Sequence, residues 1–187
     1  DKVKITILDD GSGVIEEVAE RKQAITRLDP RPQGEYQQVL LANADQAVFV
    51  FACAHPNPKL KMLDRFLVIA EKQKIPAIVV ANKIDLVDAA KSMFGLYETI
   101  GYHVVYTSAK KGDGLDELKK VLARKISAFA GPSGAGKSSL LNAIQPGLGL
   151  AVNEVSTAMN KGKHTTVTRE LFALDGGGYV ADTPGWK

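Results

Sequence analysis

The 187-residue sequence predicts an α/β fold, a mostly parallel sheet covered by helices on both faces, behind a short all-β segment. Two observations predict it. From Gln46 onward, short apolar runs alternate with segments of helical periodicity. Those runs are apolar throughout rather than alternating with polar residues, as strands buried on both faces must be.

The elements follow in order. Residues 1–19 read as a hairpin: Val3, Ile5 and Ile7 alternate, Asp9-Asp10-Gly11-Ser12-Gly13 turns the chain, and residues 14–18 return. Two strands alone are marginal in water, so this is expected to be the end of a larger sheet domain. Residues 20–43 hold Arg21, Lys22, Arg27, Pro30, Arg31, Pro32 and Gly34, a linker composition with a basic bias. Residues 47–52 form the first apolar strand of the α/β part. Asn57 and Pro58 stand where a helix cap and first turn belong, and Leu60, Leu63, Phe66, Leu67 and Ala70 share one face of that helix. Residues 76–81 are a second strand, 88–100 a short helix and 103–107 a third strand. Leu115, Leu118 and Leu122 mark the next helix, and residues 127–130 the next strand. A glycine-rich loop, a helix to about Ile144 and a loop through Thr166 follow. Residues 167–174 and 179–181 read as a hairpin turned by Asp175-Gly176-Gly177-Gly178. The expected domains are a partial β domain at 1–28, a linker at 29–43 and the α/β domain at 44–187.

Composition narrows the class. A hydrophobic fraction of 45% and a charged fraction of 24% are those of an ordinary soluble globular protein. The formal charge of +3 permits contact with nucleic acid without demanding it. The single cysteine, Cys53, excludes an internal disulfide and reads as a small buried hydrophobe at a strand end. No apolar run reaches the roughly 18 residues of a membrane span. No signal peptide is visible, and from the start at Asp1 the true N-terminus is expected to be missing. The expected setting is bacterial cytoplasm or an organelle stroma or matrix.

Ligands of open α/β sheets sit at the carboxyl ends of the strands; four of the five motifs of this chain follow an apolar strand, and the fifth lies in the loop before one. Gly131-x-x-x-x-Gly136-Lys137-Ser138 matches the phosphate-binding loop pattern between a strand and a helix. Gly131, Ser133, Gly134, Ala135 and Gly136 let backbone N–H groups turn toward phosphate oxygens, and the helix opened by Ser138 and Ser139 adds its positive end. Lys137 is expected to reach the β- and γ-phosphates, and the Ser138 hydroxyl to bind Mg²⁺. Asn82-Lys83-x-Asp85 follows an apolar strand. Asp85 can accept two hydrogen bonds from the guanine ring N–H and exocyclic amine, which adenine does not offer in that arrangement. Asn82 is expected to tie this loop to the phosphate loop, and the Lys83 stem to cover the base. Ser108-Ala109-Lys110 follows another strand, with the Ala109 N–H available to the guanine carbonyl.

Two further motifs fit nucleotide-sensing switches. Asp182-x-x-Gly185 places a carboxylate to hold Mg²⁺ through water and a Gly185 N–H at the γ-phosphate. Lys161-Gly162-Lys163-His164-Thr165-Thr166 supplies a threonine for Mg²⁺ and the γ-phosphate, Thr166 before Thr165. Trp186 stands where Ras-like enzymes carry the glutamine that orients the attacking water. Indole cannot do this, so turnover is expected to be slow alone, with His164 a candidate to position the water. His103 and His55 read as structural.

An ordinary Ras-like GTPase begins with the phosphate loop and ends with the base-reading motifs; here the base-reading motifs come first and Asp182-x-x-Gly185 last. The order therefore predicts a circularly permuted Ras-like P-loop GTPase domain. The phosphate loop also resembles those of guanylate kinases, but such kinases have no use for residues 82–85. A GTP-dependent binding module with negligible turnover is the competing class.

The five motifs in this order, the hairpin at 3–18, Arg21-Lys22, Ala42-Asn43-Ala44-Asp45-Gln46 and Gly162-Lys163-His164-Thr165-Thr166 together resemble the RsgA (YjeQ/EngC) family of permuted ribosome-assembly GTPases. The resemblance covers nearly the whole chain. It implies an N-terminal OB-fold, this GTPase core and a C-terminal zinc-binding domain, with Mg²⁺ as cofactor and GTP and GDP as substrate and product. It also implies late maturation of the small ribosomal subunit, rRNA as a partner on the OB side, a monomer and no membrane. The OB portion here is reduced to its last strands, residues 29–38 depart from the family's linker, and no Cys/His cluster allows a zinc site to be assigned. Permuted GTPases of the large subunit share the motif order but lack the preceding OB-fold.

Overall fold

The computed structural model describes residues 3–21, 24–28, 37–150 and 171–182. The chain forms two compact units, Asp1–Ala44 and Asp45–Lys187.

In the first unit, β1 (Val3–Ile7) and β2 (Gly13–Val18) pair antiparallel, with a bulge between Lys4 and Ile5. Gly11 takes φ 80 in the turn, and the Asp10 carboxylate accepts the Ser12 N–H at 2.9 Å and hydroxyl at 2.6 Å. A second antiparallel pair follows, β3 (Ala24–Leu28) and β4 (Gln37–Ala42). This corrects the linker expected at 29–43, whose second half is strand. The Arg, Pro and Gly content of 21–34 obscured the Val39-Leu40-Leu41 run, which carries the strand signal.

The second unit is built on a six-stranded sheet in the order β7-β6-β5-β8-β10-β9. Its strands are β5 (Gln46–Ala52), β6 (Ala77–Asn82), β7 (His103–Thr107), β8 (Ile126–Ala130), β9 (Leu171–Ala173) and β10 (Tyr179–Asp182). Neighbours are parallel except the β9–β10 hairpin. Residues 167–170 of that hairpin's expected first strand lie outside the described residues.

The two faces of the sheet bury different helices. On one, α1 (Leu60–Lys72) buries Leu63, Phe66, Leu67 and Ala70, the spacing of a single helical face. The Phe66 ring lies 5.4 Å from that of Phe49 and 6.0 Å from that of Phe51. Beside it α2 (Ala90–Thr99) buries Phe94 and Tyr97. The Tyr97 hydroxyl donates to Asp64 at 2.7 Å, and burial followed by this contact raises its pKa. On the other face, Val48, Val50 and Phe129 pack with Leu118 and Leu122 of α3 (Leu115–Leu122) and with Leu140 and Leu141 of α4 (Lys137–Ile144). Alternate residues of β5 thus serve opposite cores, which is why the strand is apolar throughout.

One boundary differs from expectation. Helix α1 begins at Leu60, where the Lys59 carbonyl accepts the Met62 and Leu63 N–H groups, and its N-cap carries no side-chain hydrogen bond. Asn57 and Pro58 belong to the loop before it. Among the described residues no helix is long and apolar enough to cross a membrane.

Candidate functional site

The parallel strands all end at one edge of the sheet, and the described motif residues sit at those ends. Asn82 closes β6 in register with Ala52 of β5 and Thr107 of β7. It is 1% exposed, and both ends of its side-chain amide are hydrogen-bonded. The Asn82 Nδ2 donates to the Ala135 carbonyl at 2.9 Å, while its Oδ1 accepts from the Thr107 hydroxyl at 3.2 Å and the Ala109 N–H at 3.4 Å. One amide therefore joins the loops after β6, β7 and β8. Thr107 escaped the sequence reading because its contact with Asn82 is non-local; its place next to Ser108 was the available signal.

Gly136 explains the closeness of that junction. It has φ 91, and a Cβ there would lie 2.4 Å from Asn82 Nδ2. Gly136→Ala is expected to cost about 2 kcal/mol, from left-handed strain plus displacement of Asn82. Thermal melting checks the loss of stability, and GDP titration should show weaker binding; an unchanged melting temperature would refute the packing argument.

Asp85 lies on a 3₁₀ turn, Ile84–Leu86, entered through Lys83 at φ 62. The Ser108 hydroxyl donates to Asp85 Oδ1 at 2.6 Å and also accepts the Lys111 N–H at 3.0 Å. The Ser108 carbonyl accepts the Gly112 N–H at 2.8 Å, which closes the loop carrying Ala109 and exposed Lys110. Lys83 Nζ donates to the His55 carbonyl. Burial lowers the Lys83 pKa, and the Asp85 charge opposes that shift. Cys53 is buried at the end of β5, and its N–H donates to the Asn82 carbonyl at 2.8 Å. Burial first, then the Asp85 charge, push its thiol up to about 11, so it stays protonated and inert near neutrality. His103 pairs with Glu117 at 3.0 Å on the surface, away from this edge.

Past β8 the chain turns through Gly131, Gly134 and Gly136 at φ 155, 78 and 91. A Cβ on Gly131 would meet the Val50 carbonyl at 2.1 Å, so the loop lies directly against β5. Lys137 is 9% exposed, and its Nζ donates to the Gly131 carbonyl at 2.9 Å and the Pro132 carbonyl at 3.1 Å. Ser138 and Ser139 occupy the first turn of α4, and Ser133 is exposed at the loop tip. Asp182 is the last residue of β10, in register with Phe129 of β8 and thus beside the strand that leads into the loop. The edge gathers a glycine-rich loop opening a helix and a carboxylate held by a serine hydroxyl, a combination suited to an anion and to a pair of N–H donors.

His164, Thr165, Thr166, Gly185 and Trp186 lie outside the described residues. Among the described residues no cluster of three or more His, Cys, Asp or Glu could hold a metal. A cleft of about 180 Å³ lies at the opposite end of the sheet, between Lys119, Ile144, Gln145 and the 174–177 turn, away from the described motif residues.

A family model described as RsgA GTPase matches residues 18–187. The small ribosomal subunit biogenesis GTPase RsgA of Moorella thermoacetica is 45% identical over 191 residues, covering 100% of this chain and 61% of that protein. Its namesake in Thermotoga petrophila is also 45% identical, with the same coverage of 100% and 61%. Among solved structures, YjeQ from Thermotoga maritima superposes with a TM-score of 0.74 at 42% identity, covering 98% of this chain and 59% of that one. YloQ, described as a circularly permuted GTPase, superposes with a TM-score of 0.68 at 35% identity, covering 98% and 55%. The chain spans 61% of the length of the curated relatives.

Proposed function

The chain belongs to the RsgA GTPase family, and from that premise we propose that it binds and hydrolyses GTP in late assembly of the small ribosomal subunit. The observation that carries this reading is the Asn82 amide, which joins the Asp85 and Ser108 loops to the phosphate loop at one sheet edge. A guanine base at Asp85 and phosphates at residues 131–138 would then belong to one molecule. The relatives' names support the small subunit as the partner.

Asp85, oriented by Ser108, accepts the guanine ring N–H and amine, and the Ala109 N–H donates to the guanine carbonyl. Backbone N–H groups of residues 133–138 hold the phosphates, and Lys137 exchanges its loop carbonyls for phosphate oxygens. The hydroxyl and carboxylate donors suit a hard cation: Ser138 opens α4, and Asp182 ends the strand paired with β8. Ser138, Thr166 and Asp182 would hold Mg²⁺, which when bound neutralises charge developing on the β- and γ-phosphates. Gly185 senses the γ-phosphate. His164 orients the attacking water where Trp186 replaces the usual glutamine, so turnover is slow until the ribosomal subunit engages. The β1–β2 hairpin is the end of an OB-fold that contacts rRNA, and residues 44–187 form the switching domain. Zinc belongs to the family's C-terminal domain. The protein acts as a monomer in the cytoplasm or in an organelle stroma or matrix.

His164→Ala is expected to lower GTP turnover about a hundredfold while nucleotide affinity stays within about twofold. Single-turnover hydrolysis beside a GDP titration separates the two, and equal hydrolysis rates would remove His164 from catalysis. The reading as a whole is tested by GTP turnover alone, with purified small subunits and with large subunits. Stimulation by small subunits only is expected. Stimulation by neither would favour the binding-module reading, for which Trp186 is the specific observation.

A further inference from the structure

The described motif residues lie at the carboxyl ends of the strands, but the opposite end of the sheet carries a set of contacts they do not use. In a chain that began with the phosphate loop and ended with the base-reading motifs, α3 would be the last helix and β8 the first strand. Here they are joined directly through Ala123-Arg124-Lys125, with Arg124 at φ 59. This joint is gripped from two sides.

On the β5 side, the Asp45 N–H donates to the Ile126 carbonyl at 2.8 Å, and Asp45 Oδ2 accepts the Ile126 N–H at 2.7 Å. Gln46 is 1% exposed, and its Nε2 donates to the Val121 carbonyl and the Ser127 hydroxyl, both at 2.9 Å. Its Oε1 accepts Lys125 Nζ at 3.1 Å. The buried amide is therefore satisfied only when α3, the joint and β8 are in place together. On the β10 side, the Arg124 N–H donates to the Gly177 carbonyl at 2.8 Å, and the Tyr179 N–H to the Lys125 carbonyl at 2.9 Å. Gly178 has φ 96, and a Cβ there would lie 2.6 Å from the Lys125 carbonyl oxygen.

From this joint β8 runs through Ile126–Ala130, paired on both sides, straight into Gly131. A fully paired strand transmits a displacement along its length because its register cannot slip without breaking both ladders. We propose that Asp45 and Gln46 are positioning residues for nucleotide binding: by fixing the start of β8 they set where the phosphate loop is delivered, and through residues 177–179 where β10 delivers Asp182. This rests on the reading of residues 131–138 as the phosphate loop. Asp45 is also where the chain passes from the first compact unit into the second. Spatial succession alone does not establish coupling, so the test uses its reciprocity: a ligand that orders the loop must also tighten the joint.

The experiment measures release of fluorescently labelled GDP from the full chain, and amide hydrogen exchange with and without GDP. Asp45→Ala and Gln46→Met are expected to speed release about tenfold. Asp45→Asn keeps an acceptor for the Ile126 N–H and is expected to restore the rate. Phe94→Leu, which loosens the buried side of α2 on the other face, is expected to lower the melting temperature without changing release. In the unaltered chain, GDP is expected to slow exchange at Arg124, Ile126 and Tyr179 beyond its uniform stabilising effect. If Asp45→Ala does not fold, Gln46→Met and the exchange pattern decide. Unchanged release in the joint variants, or equal acceleration in Phe94→Leu, overturns the proposal. So does GDP protection confined to a uniform increase. If the unaltered chain does not bind GDP, the phosphate-loop reading falls with it; if it binds and Lys137→Ala abolishes binding while the joint variants behave normally, only the positioning role falls.

Discussion

Asp85→Asn is expected to weaken GTP binding by about a thousandfold and to make xanthosine triphosphate the better ligand. The carboxylate would accept two N–H bonds from guanine, and hydrogen bonds to a charged group are each worth about 1.5–3 kcal/mol. The replacement amide presents an N–H₂ group to two donors. The neighbouring serine decides which way that amide points. Ser108 donates to Asp85 Oδ1 at 2.6 Å, and the oxygen of asparagine can keep that bond. The N–H₂ is then turned toward the base, where it repels guanine and can donate to the extra carbonyl of xanthine. Competition between the two triphosphates for one fluorescent nucleotide measures the exchange. An unaltered preference for guanine would remove Asp85 from base recognition.

Lys137→Ala is expected to lower affinity for GTP and GDP at least about a hundredfold, with GTP the more affected. The loss is that of charge-assisted hydrogen bonds to phosphate from a largely buried ammonium. Part of the effect is internal to the loop, since the Gly131 and Pro132 carbonyls each lose a donor, at 2.9 and 3.1 Å. A modest fall in melting temperature without nucleotide should therefore accompany the loss of affinity. Nucleotide titration by calorimetry checks the first effect, and undiminished binding would rule out the phosphate-loop role.

Most of the α/β part was legible in the residues. Strands β5 to β8 announce themselves because a strand buried on both faces has no room for polar alternation, and helices α1 and α3 because their leucines fall on one face. The glycine pattern of residues 131–136 was legible because close contacts force it, at Gly131 from the Val50 carbonyl and at Gly136 from the Asn82 side chain. Strands β3 and β4 were not, since Pro30, Arg31, Pro32 and Gly34 between them read as linker. The start of α1 was placed two residues early because Asn57-Pro58 has cap chemistry that the loop uses otherwise. The sharing of Asn82 among three loops was half legible: its reach toward the phosphate loop follows from motif chemistry, whereas its bond to Thr107 depends on which strands the fold places side by side. The roles of Thr166, His164 and Gly185 rest on motif chemistry alone.

The single amide of Asn82 has a consequence for how the molecule fails. With Ala135, Thr107 and Ala109 all bonded to one side chain, loosening on either side removes a contact that orders the other. Heat should therefore dissolve purine and phosphate recognition in one step, and half a ligand should be a poor protectant. Guanosine or pyrophosphate alone would raise the melting temperature far less than their covalent union in GDP, which engages both ends of the same knot.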